Sequence, residues 1–564
     1  MPRKKKNARV QEYLSGKNSD ISPTGIRELD RLLGGGFPKG SIVLLSGSSG
    51  SGKTIFSFQW LFEGIKNNEN CLYITLTEPL FKSLKNLEIM NFYNRKAIEQ
   101  EKLKILDIRG IYDKMEFNQE KILSYIEEQV KQTNVKRLCI DSITAIAYNL
   151  DDKAQIRKFI FELGKILATL GCTTVVTSEV ADPNRYSVYE VEEFISDAIL
   201  RFDQVKISDE LQRTMQIIKV RGTKYEAEDL HFRISNEGII VFPKLKVPLQ
   251  YESSMQRIST GILHLNQMLM GGLFRGSSSL IVGSTGTGKS LLSMQFIIEG
   301  LKNGEPCLYA GFEESRDQLI RNAETFGWNL GEYEKKGLLV LNCVYPSEKF
   351  LEEHLQDIKR IVESKKIKRC VIDSLSSIAN FFPQDIFISF AKRLNGYLKT
   401  QYVTTYFTAA TASLIGATTL TESHLSTMTD NIFMLRYVEM QGELQLVMNI
   451  IKVRGSDHSK SLVTYDITKK GIVVGQSLSG YEGVMTGVTR KVSETVEERL
   501  EAEFKKFIGP MGSSIFLELK DKGLTEANIF GYIDELINQG ILKKDDSAIF
   551  KKRVSDILGS SKPD

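Results

Sequence analysis

The stretch Ser41–Thr54, SIVLLSGSSGSGKT, decides the fold. A short apolar run leads into Gly47–Thr54, which fits the pattern G-x-x-x-x-G-K-[ST]. A helical pattern, Thr54–Ile65, follows at once, so the motif has the strand-before, helix-after context of a phosphate-binding loop. Glycines there let backbone N–H groups approach phosphate oxygens, and the helix N-terminus adds its dipole. Gly47, Ser49, Gly50, Ser51 and Gly52 are the expected cradle. Lys53 is expected to reach the β/γ-phosphates of ATP, and Thr54 to offer a hydroxyl to Mg²⁺. The plain alternative is a Gly-rich turn with an incidental lysine.

A second copy argues against that alternative. Gly283–Ser290, GSTGTGKS, fits the same pattern after SSSLIV, whose Leu280–Val282 end is apolar. It supplies Gly283, Thr285, Gly286, Thr287, Gly288, Lys289 and Ser290 in the same roles. Lys53 and Lys289 stand 236 positions apart, as do Gly25 and Gly261. RLCIDS and RCVIDS recur later, then IIKVRGT and IIKVRGS. Matched landmarks in one order mark a duplicated domain, and a period this long means tandem domains rather than a solenoid.

The runs Ser41–Leu45, Cys71–Leu76, Arg137–Ile140 and Thr173–Thr177 are continuously apolar or β-branched. They predict strands of a parallel-rich sheet covered on both faces by crossover helices, an α/β fold. The division expected is a basic tail at 1–20, P-loop domains at 21–248 and 249–475, a linker at 476–493 rich in Gly, Ser and Thr, and a small, mostly helical module at 494–564.

The bulk numbers fit. The chain has 564 residues, 41% hydrophobic and 26% charged, with a net charge of +4, ordinary for globular protein and too weak to argue for nucleic acid. MPRKKK at the start has no apolar stretch behind it and is not expected to be a signal peptide. No apolar run approaches the ~20 residues that span a bilayer. The six cysteines (Cys71, Cys139, Cys172, Cys307, Cys343 and Cys370) include no C-x-x-C pair. Reduced, buried thiols in a cytoplasmic protein are expected.

Three further features carry chemistry. Asp141 and Asp373 each close an apolar strand downstream of a P-loop, where an aspartate orients Mg²⁺ or its water; an isolated aspartate there would be a helix cap. The second strand of copy two ends in YAGFEES, with Glu313 and Glu314, while copy one has YITLTEP, with Thr77 and Glu78. A carboxylate there takes a proton from an attacking water or hydroxyl. KVRG closes the late part of each copy, with Lys219 and Arg221, then Lys452 and Arg454. Such a pair is either surface charge or a finger that neutralises phosphate in a neighbouring subunit.

These residues, with VEEFISD (Val191–Asp197), FEESRDQLIRNA (Phe312–Ala323), YVEMQGE (Tyr437–Glu443) and KVRGSDH (Lys452–His458), resemble the KaiC family, double-domain RecA-like ATPases known from bacterial circadian clocks. The resemblance covers about Ser22 to Gly475. It implies a homohexamer of two stacked tiers with ATP between subunits: copy one an ATPase, copy two an autokinase and autophosphatase. The family's H-x-S-T-x-T-D motif falls on HLSTMTD, so phosphorylation is expected at Ser426 and Thr427. In isolation, TESHLSTMTD (Thr421–Asp430) reads as a polar strand end. The resemblance makes Glu313 the base, gives Lys452, Arg454 and His458 to the neighbour's nucleotide, and sets Phe326 near adenine. Lys219 and Arg221 match in copy one, but Tyr225 stands where the family has histidine. Thr77 departs too, leaving Glu78 as the acid there. The C-terminal module differs from the family's short tail, so a Kai-type regulator or another signalling partner, and pairing of two hexamers through this module, are expectations only.

Two other classes compete. A nucleic-acid motor would share the P-loop, aspartate and interface arginine. It should also carry Lys/Arg-dense loops with interleaved aromatics, and neither repeat has them. An ATP-gated scaffold would bind ATP and assemble without accumulating phosphoprotein.

Overall fold

The first P-loop strand is central in a nine-stranded sheet. The computed structural model describes residues 21–75, 80–108, 119–147, 152–180, 182, 185–189, 191–207, 210–223, 225–248, 253–411, 425–440, 442–478, 481–482, 490–491 and 496–559. The basic tail, Thr77, Glu78, His424 and much of the linker lie outside them. In domain one the strands are β1 (Ile42–Gly47), β2 (Cys71–Thr75), β3 (Leu103–Asp107), β4 (Arg137–Asp141), β5 (Thr173–Glu179), β6 (Ala198–Ile207), β7 (Glu210–Val220), β8 (Asp229–Ser235) and β9 (Gly238–Phe242). Their order is 3-2-4-5-1-6-7-8-9. Neighbours from β3 to β6 are parallel, and β6 to β9 form an antiparallel arm. Strands β1, β2 and β4 are buried along their whole length, which explains their unbroken apolar runs.

Domain two repeats this arrangement. Its strands are β10 (Ser278–Gly283), β11 (Cys307–Gly311), β12 (Leu339–Cys343), β13 (Arg369–Asp373), β14 (Thr404–Ala410), β15 (Asn431–Met440), β16 (Glu443–Val453), β17 (Val463–Thr468) and β18 (Gly471–Ser477). They follow the order 12-11-13-14-10-15-16-17-18. The P-loop helices are α1 (Lys53–Lys66) and α2 (Lys289–Lys302). Each sheet has an apolar cluster on both faces, so the expected α/β class with tandem RecA-like domains holds.

One buried arginine per domain ties the strands to the P-loop helix. Arg137 Nε donates to Glu69 Oε2 at 2.5 Å and Nη1 to Trp60 O at 2.7 Å. Arg369 repeats this with Glu305 Oε2 at 2.6 Å and Phe296 O at 3.1 Å. A Cβ on Gly64 or Gly300 would collide with that guanidinium, which is why both helices carry glycine there.

Between the domains, Arg233 on β8 pairs with Glu353 at 3.0 Å, on helix α3 (Leu351–Lys365). The His231 ring packs on Phe350, centroids 5.1 Å apart. TESHLSTMTD departs from the strand-end reading: Leu425–Met428 forms a single helical turn, α4, before β15. The C-terminal segment folds as α5 (Val496–Ile508), α6 (Gly512–Lys522), α7 (Glu526–Asn538) and α8 (Lys544–Gly559). They enclose a separate core that includes Leu500, Phe504, Ile529, Ile533 and Phe550. Among the described residues, no helix is long and apolar enough to cross a membrane.

Candidate nucleotide sites

Each P-loop turns on left-handed glycines: Gly50 and Gly52 at φ +73° and +110°, Gly286 and Gly288 at +85° and +84°. Any other residue would be strained there. A side chain at Gly47 or Gly283 would strike the carbonyl of Phe202 or Leu435 on the adjacent strand. Lys53 Nζ donates to Gly47 O and Ser48 O, both at 2.8 Å, and Lys289 Nζ to Gly283 O and Ser284 O, both at 2.9 Å. Burial pushes both ammonium groups down, against the pull of nearby acids. Each lysine is thus curled over its own loop, ready to exchange carbonyls for phosphate oxygens. Ser49, Gly50, Gly52, Lys53 and Thr54 line a cavity of about 490 Å³. Thr285, Gly286, Gly288, Lys289 and Ser290 line one of about 400 Å³. Ser51 and Thr287 are buried beneath the loops.

The aspartates are fixed by hydroxyls. Asp141 accepts from Thr54 Oγ1 at 2.9 Å, Tyr73 OH at 2.6 Å and Thr177 Oγ1 at 2.6 Å. Asp373 accepts from Tyr309 OH at 2.5 Å and from Thr408. A P-loop hydroxyl beside a carboxylate gives the hard oxygen donors that Mg²⁺ takes. No cage of three His, Cys, Asp or Glu exists among the described residues.

Glu313 stands at the mouth of cavity two. Its Oε1 accepts from Ser374 Oγ at 2.5 Å and from Ser377 Oγ. Burial, then Asp373 and Glu313, push the Glu314 carboxyl up. A capping box from Ser315 and Gln318 fixes the turn after the two acids; Pro79 takes the serine's place in copy one. Phe326 lines the cavity as expected, and Trp328, which sequence reasoning missed, stacks on it with centroids 5.2 Å apart. The signal was there in FGWN, two aromatics two residues apart. In domain one the matching positions are Met90 and Phe92, both buried in the core.

The basic pairs lie elsewhere. Lys452 Nζ donates to Ser426 O at 2.9 Å and Thr429 O at 2.6 Å, and Arg454 Nη2 to Thr427 O at 2.7 Å. In domain one, Lys219 Nζ donates to Glu193 O at 3.1 Å and Ser196 O at 2.8 Å, and Arg221 lies 3.6 Å from Asp197. His458 Nδ1 is buried without a partner among the described residues. Tyr225 OH donates to Ile218 O at 3.1 Å, so it braces β7 of its own domain. None of the five cationic positions lines its own chain's P-loop cavity. Register explains why: Ser279 pairs with Asn431 and Gly283 with Leu435, while Asn431 pairs with Val453. The KVRG end and α4 therefore sit at the strand end opposite the P-loop, four residues or about 13 Å away along the sheet.

Two parallel-rich sheets, each with a P-loop and an aspartate at the same end of strands separated by one other strand, define a duplicated RecA-like ATP-binding protein. The family model described as "ATPase: KaiC" matches residues 22–246 and again 258–479. The chain belongs to the KaiC family. It is 36% identical over 492 residues to "Circadian clock protein KaiC3" of Synechocystis sp., covering 86% of this chain and 97% of that protein. It is 37% identical over 485 residues to "Circadian clock oscillator protein KaiC" of Thermosynechococcus vestitus, covering 85% and 93%. A protein of the same name from Rippkaea orientalis is 36% identical over 525 residues, covering 91% and 98%.

Proposed function

We propose that the chain hydrolyses ATP in domain one and phosphorylates itself in domain two, across the subunit interfaces of a homohexamer. The register carries this reading. Ser426 and Thr427 lie at the opposite sheet end from their own Lys289, so a transfer within one chain has no short path. In a ring, the KVRG edge and α4 of one subunit face the P-loop of the next. Thr427 is exposed, Ser426 half-buried and Thr429 buried, which favours the two expected acceptors.

Ser290 and Asp373 would hold Mg²⁺, which neutralises charge building on the phosphates. Glu313 takes the proton of the Ser426 or Thr427 hydroxyl. The hydroxyl oxygen bonds to the γ-phosphorus, the bond to the β–γ bridging oxygen breaks, and ADP leaves with the electron pair. Lys289, with Lys452 and Arg454 of the neighbour, meets the spreading charge. Positioning and electrostatics supply most of the rate. The reverse transfer returns the phosphate, an autophosphatase route. The names of the relatives support a signalling role, with a Kai-type or other regulatory partner and the C-terminal helices as an assembly surface.

The test is complementation. Chains with Glu313→Gln are mixed with chains carrying Ser426→Ala and Thr427→Ala, with MgATP. Label on Ser426 or Thr427 of the Glu313→Gln chain, in a particle of hexamer mass, supports the reading. No label there, with wild type labelled normally, contradicts transfer between subunits.

A further inference from the structure

Among the described residues, the two cavities carry acids on different strands. In domain two, β14 ends in Ala410, in register with Gly283, and Ala410 lines the cavity. In domain one the matching strand, β5, ends in Glu179, in register with Gly47. Glu179 lines the cavity with Lys53, Thr54 and Asp141. A second marker fixes the equivalence: the Glu179 N–H donates to Thr144 Oγ1 at 2.9 Å, and the Ala410 N–H to Ser376 Oγ at 2.8 Å.

The charges around the lysines shift in step. Glu179 is the strongest acid acting on Lys53, whereas Asp373 and Glu313 act on Lys289. The Glu313 position is Thr77 in copy one. Ser374 serves Glu313, but its counterpart Ser142 is buried with its hydroxyl unpartnered among the described residues. The second strand has lost a carboxylate, and the fifth strand presents one to the same cavity.

We propose that Glu179 orients and deprotonates the attacking water in domain one. This rests on the reading of domain one as an ATP hydrolase. The water oxygen bonds to the γ-phosphorus as the bond to the β–γ bridging oxygen breaks. ADP leaves with the electron pair, and the water proton passes to Glu179 and then to solvent. Domain two has only a methyl group there, so its chemistry depends on Glu313.

The test uses full-length protein carrying Glu313→Gln, which silences transfer in domain two. Glu179→Gln and Glu179→Asp are added separately, and kcat, KM for ATP and native mass are measured. General-base loss costs about 100-fold or more. The expected result is a kcat fall of that order in Glu179→Gln, with KM within about threefold, assembly intact, and partial recovery in Glu179→Asp. An unchanged kcat overturns the proposal. A fall in kcat that tracks loss of assembly, with Glu179→Asp no better than Glu179→Gln, also overturns it by making the role structural. If the Glu313→Gln parent hydrolyses no ATP, the hydrolase reading of domain one falls, and this proposal with it.

Discussion

Lys452 holds the carbonyl of Ser426 at 2.9 Å, so the cation expected at a neighbour's nucleotide also pins the expected phosphorylation turn of its own chain. Lys452→Ala breaks both contacts at once. Phosphoprotein should fall at least about tenfold, the loss of a ~1.4 kcal/mol charge-assisted contact, and the hexamer should weaken. Phosphate-affinity gels and native mass measured together check it. Normal phosphorylation in an intact ring would contradict the two-sided role.

The aromatic pair separates the domains. Trp328→Ala removes one face of the Phe326–Trp328 stack, worth about 1 kcal/mol. KM for ATP in domain two should rise roughly fivefold with kcat little changed. Phe92→Ala, at the matching position of domain one, instead opens its core and should cost about 3–5 kcal/mol of stability. Denaturant unfolding and steady-state kinetics tell the two outcomes apart.

Arg369 is 2% exposed and is paired with Glu305. Arg369→Ala removes the buried donor shared by Glu305, Ser259 O and Phe296 O, while Glu305 keeps Arg275 at 2.9 Å, so the expected cost is about 1–3 kcal/mol. The midpoint of the transition assigned to domain two should move well down while that of domain one stays. A shift no larger than that of a surface Arg→Ala change would show the guanidinium is not needed.

His354 Nε2–H donates to Pro346 O at 3.2 Å, and burial pulls its pKa from 6.5 down to about 4. The unfolded chain therefore binds a proton that the folded chain refuses between those values. Stability is full above about pH 6.5 and falls as pH drops toward 4, by up to about 3 kcal/mol. His354→Asn should flatten that part of the melting-temperature profile. A wild-type profile already flat from pH 7 to 4 would refute this.

The P-loops and aspartates were legible because each is a short local pattern in a fixed strand–helix context. Continuous burial of β1, β2 and β4 likewise left its mark as unbroken apolar runs. Glu179 was not legible: a lone acid after a strand carries no signal until the register with Gly47 brings it to the loop. Trp328 was overlooked beside Phe326 because only the cavity reveals that both rings face it. The helical turn at Leu425–Met428 was not legible in isolation, because Thr favours strands and Ser favours caps and turns. Its carbonyls are held by Lys452 and Arg454, more than 20 residues away in sequence, so a tertiary contact overrides local preference.

Strand β8 has two audiences. Phe232 and Ile234 point toward Gly52, where an added methyl would meet Ile234 Cδ1 at 3.1 Å. His231 and Arg233, on the opposite face, grip Phe350 and Glu353 of domain two. Alternate residues of a strand face opposite ways but share one backbone. The floor of the first ATP cavity and the ceiling of the joint to the second domain are thus one wall, a single peptide plane thick.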